Sequence, residues 1–147
     1  MTIEFLPGLW VSKRSLTTNK NFIYSKSISV FINLIKDLNF LDKSYEYQDC
    51  IQKNIQRYEI IKMANYIDEI TSFINKKLIN NENILLFCEN GIDKSQYIIL
   101  AYLIKYGYLE KNIAMDIIKT KIINAFSEGT KYNESFKIFI KNNINQK

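Results

Sequence analysis

Between positions 88 and 95 the chain places Cys88, Gly91, Lys94 and Ser95, inside the stretch ILLFCENGIDKSQYIILAYLI that runs from residue 84 to 104. An apolar, strand-like run leads into a short polar loop, and the loop opens a helix-like run. Successive backbone N–H groups of such a loop can turn inward, and the helix N-terminus adds a positive partial charge. Together they form a cradle for a phosphate dianion. Gly91 in mid-loop permits a backbone conformation that a side chain would hinder. The same field favours the nucleophilic thiolate form of a cysteine on the floor of the cradle, so Cys88 is the expected attacking atom. Ser95, in the first helical turn, is placed to donate a hydrogen bond to that sulfur. Lys94 brings positive charge, and the expected phosphate-binding set is Glu89, Asn90, Gly91, Ile92, Asp93, Lys94 and Ser95.

The surrounding pattern says what must hold that loop. The Pro7-Gly8 turn signal followed by Leu9, Trp10 and Val11 reads as a short strand after a turn, beginning a sheet. ISVFINLI, residues 28 to 35, is β-branched and aromatic with no polar residue after Ser29 until Asn33, as in a buried strand. KSYEYQDC, residues 43 to 50, reads as a third short strand, and NILLFC as the one that ends at the loop. From about Arg57 to Lys77, Ile60, Ile61, Ala64, Ile67, Ile70, Phe73 and Ile74 recur at steps of three and four, which predicts an amphipathic helix. Further helices are predicted from about Lys94 to Tyr106, from Asn112 to about Phe126, and from Glu134 to Asn143. Strands alternating with helices, then a helical tail, imply an α/β fold with a mainly parallel central sheet covered by helices.

The bulk numbers set limits. A chain of 147 residues, 47% hydrophobic, with no linker or repeat, reads as one domain over residues 1 to 147. The absence of histidine removes histidine-based triads and His-ligated metals. Two cysteines, Cys50 and Cys88, make no disulfide framework. With neither a signal peptide nor a bilayer-length apolar run, the expected setting is intracellular, without membrane insertion. A net charge of +5 permits phosphorylated proteins or nucleic acids as acidic partners and selects neither. The lysines of residues 111 to 147 read as a solvated face, since no nucleic-acid recognition motif accompanies them.

At the loop the sequence resembles the dual-specificity protein phosphatases of the cysteine-dependent tyrosine phosphatase superfamily. Their signature is His-Cys, five residues, then Arg-Ser/Thr. Here it stands in degenerate form as Phe87-Cys88-Glu89-Asn90-Gly91-Ile92-Asp93-Lys94-Ser95. FLPGLWVSKRSL, ISVFINLI, YIDEITSFI, SQYIILAYLIKYG and FSEGTKYNESFKIFI resemble the family's other segments in the same order, so the likeness spans nearly the whole chain. The resemblance implies a single-domain cysteine-phosphatase fold and a phosphomonoester hydrolase needing no cofactor or metal. Cys88 would form a phosphocysteine, a carboxylic acid would protonate the leaving oxygen, and water would then release phosphate. It implies Asp49 as the acid, and a phosphorylated protein as partner.

Three departures bear on activity. Lys94 cannot reproduce the planar two-pronged grip of the Arg it replaces. Phe87 stands for a loop-orienting His and reads as a packing residue. Glu89 and Asp93 bring negative charge close to a dianion site. Hydrolysis that is weak or lost is therefore the expectation. Its competitors are a pseudophosphatase acting as a binding module, and a phosphatase of RNA 5′ ends. Cys50 reads as a buried thiol, with a redox bridge to Cys88 as the alternative; Tyr97 and Tyr102 read as packing residues.

Overall fold

The computed structural model describes residues 2–13, 19–34, 49–52, 60–88, 94–126 and 133–143. Ten elements follow in chain order: strands β1 (Thr2–Leu6) and β2 (Leu9–Lys13), helix α1 (Lys20–Ser25), strands β3 (Ile28–Asn33) and β4 (Asp49–Gln52), helix α2 (Ile60–Ile79), strand β5 (Asn83–Cys88), then α3 (Ser95–Gly107), α4 (Lys111–Lys121) and α5 (Asn133–Asn143). The fold is α/β, with one five-stranded sheet in the order β1-β2-β5-β3-β4. β1 and β2 form an antiparallel hairpin, and the three other strand pairs are parallel. The chain divides into two compact units, Met1–Asn54 with Lys76–Ser95, and Ile55–Asn75 with Gln96–Lys147.

The first unit is the sheet with α1. Trp10 and Phe31 are both Cα partners of Leu85, so one row of apolar residues crosses β2, β5 and β3. Side chains two apart share a sheet face. Leu85 and Phe87 accordingly join Phe31, Ile28 and Ile23 in a buried cluster, against which Trp10 and Phe22 pack. The Pro7-Gly8 turn seats this hairpin on the start of β5. Gly8 lies at φ +89°, its carbonyl accepts the Ile84 N–H at 2.7 Å, and a Cβ there would stand 3.2 Å from Leu78 Cδ2. Only glycine adopts that conformation without strain.

The end of α2 is closed by a Schellman arrangement. Asn81 sits at φ +60°, its N–H reaches the Leu78 carbonyl at 3.0 Å, and the Glu82 N–H reaches the Lys77 carbonyl at 3.0 Å. The Lys77 and Leu78 carbonyls in the last turn of the helix are thereby satisfied, and the chain enters β5 two residues after Asn81. This turn fixes where β5 begins and hence where Cys88 falls.

The second unit is helical. Ala64, Ile67, Ile70 and Ile74 are buried along one face of α2. α3 is buried nearly all round from Tyr97 to Ala101, as befits an interior helix. Lys105 Nζ meets Asp68 Oδ1 at 2.7 Å, the Tyr106 hydroxyl donates to Ser72 Oγ at 3.2 Å, and the Tyr102 hydroxyl donates to Asn75 Oδ1 at 3.4 Å. Burial and the neighbouring Tyr106 push the Tyr102 hydroxyl pKa above its ordinary value of 10.0. Tyr97, Phe126, Phe136 and Phe139 form an aromatic cluster.

Several boundaries differ from the sequence expectation. The third predicted strand begins at Asp49 and runs to Gln52, and residues 43 to 48 lie outside the described residues. The fourth helix stops at Lys121, because Ile122 is extended at φ −120° and ψ 113°, and Asn124 and Phe126 beyond it adopt left-handed φ values of +62° and +60°. α1 has no counterpart in the sequence reading. Its six residues are too few for a periodicity, although Asn19 carries the cap signature, its Oδ1 accepting the Phe22 N–H at 3.0 Å.

Candidate active site

Cys88 closes β5, and the segment that follows re-enters the described residues at Lys94, immediately before α3. The parallel strands finish together at this end of the sheet. Lys13 of β2 is the Cα partner of Cys88, Asn33 of β3 is the partner of Phe87, and Gln52 of β4 is the partner of Asn33. Loops leaving the C-terminal ends of parallel strands are where open α/β sheets hold their ligands.

Leu34 braces both ends of the loop. Its N–H donates to the Phe87 carbonyl at 3.1 Å, extending the β3–β5 ladder by one step. Its carbonyl accepts from Lys94 Nζ at 3.5 Å. The residue before the thiol and the cation after the loop therefore both bond to one peptide-linked residue at the end of β3. The Cys88 thiol is buried and in no disulfide. Ser95 is the first residue of α3, and its Oγ is buried without a hydrogen-bond partner among the described residues. A buried hydroxyl in that state has lost its hydration without compensation, so it is a group with unused donor capacity. Residues Glu89, Asn90, Gly91, Ile92 and Asp93, the middle of the expected phosphate-binding set, lie outside the described residues.

Asp49 is not brought to Cys88. It opens β4 opposite Val30, which is itself the partner of Ile84, four residues before Cys88. Two strand spacings across and four residues along separate the two Cα atoms by about 16 Å. The sequence reading put Asp49 near the end of a strand; starting the strand at Asp49 moves it to the far end of the sheet. Cys50 is likewise level with Phe31 and Leu85, which leaves its Cα about 14 Å from that of Cys88. A bridge tolerates at most about 7 Å, so the redox pairing is ruled out. Tyr97 is a packing residue as expected, edge-to-face with Phe126 at 5.4 Å.

Sequence reasoning missed three polar residues near the loop. Ser12 and Asn33 are buried on the two strands beside Phe87. Their signal was a polar residue ending an otherwise apolar run. Gln96, 5% exposed, accepts the Phe126 N–H on its Oε1 at 2.8 Å, thirty residues away in sequence. No periodicity or motif marks that contact. Among the described residues no group of three His, Cys, Asp or Glu side chains could hold a metal ion, and no helix is long and apolar enough to cross a membrane.

The sequence profile described as "Dual specificity phosphatase, catalytic domain" matches residues 9–141. The chain belongs to the dual specificity phosphatase family. Human dual specificity protein phosphatase 9 is 25% identical over 123 residues, covering 83% of this chain and 32% of the human protein. The chain thus spans about a third of that relative's length. A leucine rich repeat and phosphatase domain containing protein from Entamoeba histolytica superposes with a TM-score of 0.75 at 17% identity, covering 96% of this chain and 91% of that one. The human tyrosine phosphatase-like serine/threonine/tyrosine-interacting protein gives 0.74 at 16% identity, covering 93% and 94%. At these identities the structural neighbours speak to the fold, and they agree with the cysteine-phosphatase fold that the loop motif implied.

Proposed function

We propose that this domain captures a phosphomonoester of a phosphorylated protein over Cys88, and that its hydrolysis through a phosphocysteine is weak or lost. The proposed set is Cys88 as nucleophile, Lys94 and the 89–95 backbone as phosphate cradle, and Ser95 as hydroxyl donor to the sulfur or its adduct. The observation that carries the reading is Lys94 at the position of the family's loop Arg, with its Nζ donating to the Leu34 carbonyl at 3.5 Å. An ammonium offers its donors from one point, whereas guanidinium offers two parallel N–H groups to two phosphate oxygens. By analogy with the loss of one oxyanion donor, poorer clamping of the transition state lowers turnover by about 10²–10³.

A second reading is a pseudophosphatase that binds a phosphorylated partner without hydrolysing it. The register that removes Asp49 from the loop favours it, because no leaving-group acid then stands among the described residues of the site. One structural neighbour also carries "tyrosine phosphatase-like" and "interacting protein" in its name. Both readings need an anion-binding cradle and differ in turnover. The test is hydrolysis of p-nitrophenyl phosphate by wild type and Cys88→Ser, with calorimetric titration of inorganic phosphate. Slow release of nitrophenol that Cys88→Ser abolishes supports the first reading. Phosphate binding without release supports the second. Fast, Cys88-dependent turnover refutes the claimed impairment, and an absence of both binding and turnover refutes the cradle.

A further inference from the structure

We infer that Lys13 is a second cationic residue of the Cys88 site, set beside the thiol by the register of β2 against β5. The inference deepens the capture reading above, on which its bearing on a phosphoryl group rests. Lys13 is the last residue of β2 and the Cα partner of Cys88, which is the last residue of β5. Parallel neighbours at one register position share a sheet face, their strands about 4.8 Å apart. Both residues belong to the same compact unit.

Successive rows of this face show how unusual the position is. Leu9, Ile84 and Val30 make one row, and Val11, Leu86 and Ile32 make the next. All six are at most 1% exposed. The row after them begins with Lys13 and Cys88, and the Leu34 N–H on the Phe87 carbonyl carries the ladder on to Leu34. The face is therefore aliphatic until the row that holds the thiol, and there it contains a lysine. A charged residue continuing a dry row is unfavourable unless solvent or an opposite charge meets it. Function is expected where a local rule is broken in this way.

The carboxylates described in this unit are placed elsewhere. Glu4 is level with Trp10, and its Oε2 accepts the Gly8 N–H at 3.3 Å. Glu82 stands just before β5 and pairs with Lys77 at 3.5 Å. Asp49 opens β4 level with Val30 and Ile84. The anion that the register sets beside Lys13 is the Cys88 thiolate, or the phosphoryl group captured over it. Desolvation opposes the thiolate form of a buried cysteine, and a neighbouring positive charge offsets that cost. Lys94, standing where the family signature has Arg, then shares the charge of the site with a second lysine.

Site-resolved alkylation of Cys88, read by mass spectrometry, tests this. Iodoacetate is an anion and iodoacetamide is neutral, so their rate ratio at one thiol reports the charge around it and cancels differences in access. Cys50, its Cα about 14 Å away, is the internal reference. The variants are Lys13→Met, Lys13→Arg and, as a control for net charge, Lys20→Met at an exposed position of α1. A unit charge about 7 Å from the reacting sulfur changes the ratio by about threefold or more. The expected result is a fall of that size at Cys88 for Lys13→Met, with the ratio kept by Lys13→Arg and by Lys20→Met. Sodium chloride at about 0.5 M should shrink the fall. An unchanged ratio in Lys13→Met overturns the inference. So does an equal fall in Lys13→Arg, which marks the effect as structural, or in Lys20→Met, which marks it as one of net charge. Protection of Cys88 by inorganic phosphate tests the cradle separately. Wild type that phosphate fails to protect overturns the capture reading, while the ratio still decides whether Lys13 is the cation beside the thiol.

Discussion

On the proposed reading, replacing Lys94 with Arg should strengthen the grip on a phosphoryl group. Lys94 stands one residue before α3 and gives a hydrogen bond to the Leu34 carbonyl at 3.5 Å, the long limit for such a bond. A guanidinium at the same position can keep one N–H on that carbonyl and still direct two others at a bound phosphoryl group. The ammonium serves both directions from a single nitrogen. The gain is then about one additional charge-assisted hydrogen bond, worth about 1.5–3 kcal/mol. At 1.36 kcal/mol per decade this corresponds to about 10- to 150-fold. The assay is kcat/KM for p-nitrophenyl phosphate together with the dissociation constant of inorganic phosphate, measured for wild type, Lys94→Arg and the Lys94→Arg/Cys88→Ser double variant. If the clamp matters mainly in the transition state, kcat/KM rises more than phosphate affinity. Should Lys94→Arg leave both quantities within twofold of wild type, the reasoning fails and the deficit lies elsewhere in the loop.

Gly8→Ala should lower the unfolding free energy by about 1–2 kcal/mol, because a Cβ at φ +89° is strained and would crowd Leu78 and Asn83. Urea denaturation reads this, and an unchanged midpoint refutes the account of the hairpin seat. The raised Tyr102 pKa predicts a stability slope at high pH. Above about pH 10 the unfolded chain releases this proton while the folded chain keeps it, so stability present below pH 10 is lost as pH rises toward the folded value. Tyr102→Phe should flatten the part of that decline due to Tyr102, and a slope identical to wild type between pH 9 and 11 refutes the assignment.

The strand-to-helix order around Cys88 was legible in the sequence because its logic is local. Cys88 at the end of one strand and Ser95 at the start of the next helix follow from the run of the chain, and the burial of β3 and β5 followed from their unbroken apolar runs. Element ends were less legible. α4 halts at Lys121, where Ile122 becomes extended, although no breaker residue in the sequence marks the stop.

The sequence by itself determined the family, the strand-end position of Cys88 and the presence of Lys94 where the family signature has Arg, because each depends on residue identity at fixed short spacing. Only the tertiary structure decided that Asp49 and Cys50 lie well away from Cys88, since strand register relates residues with no sequence spacing in common. It also decided that Leu34 braces both ends of the loop and that Gln96 reaches Phe126. Those are long-range hydrogen bonds, and their partners are chosen by how the chain packs.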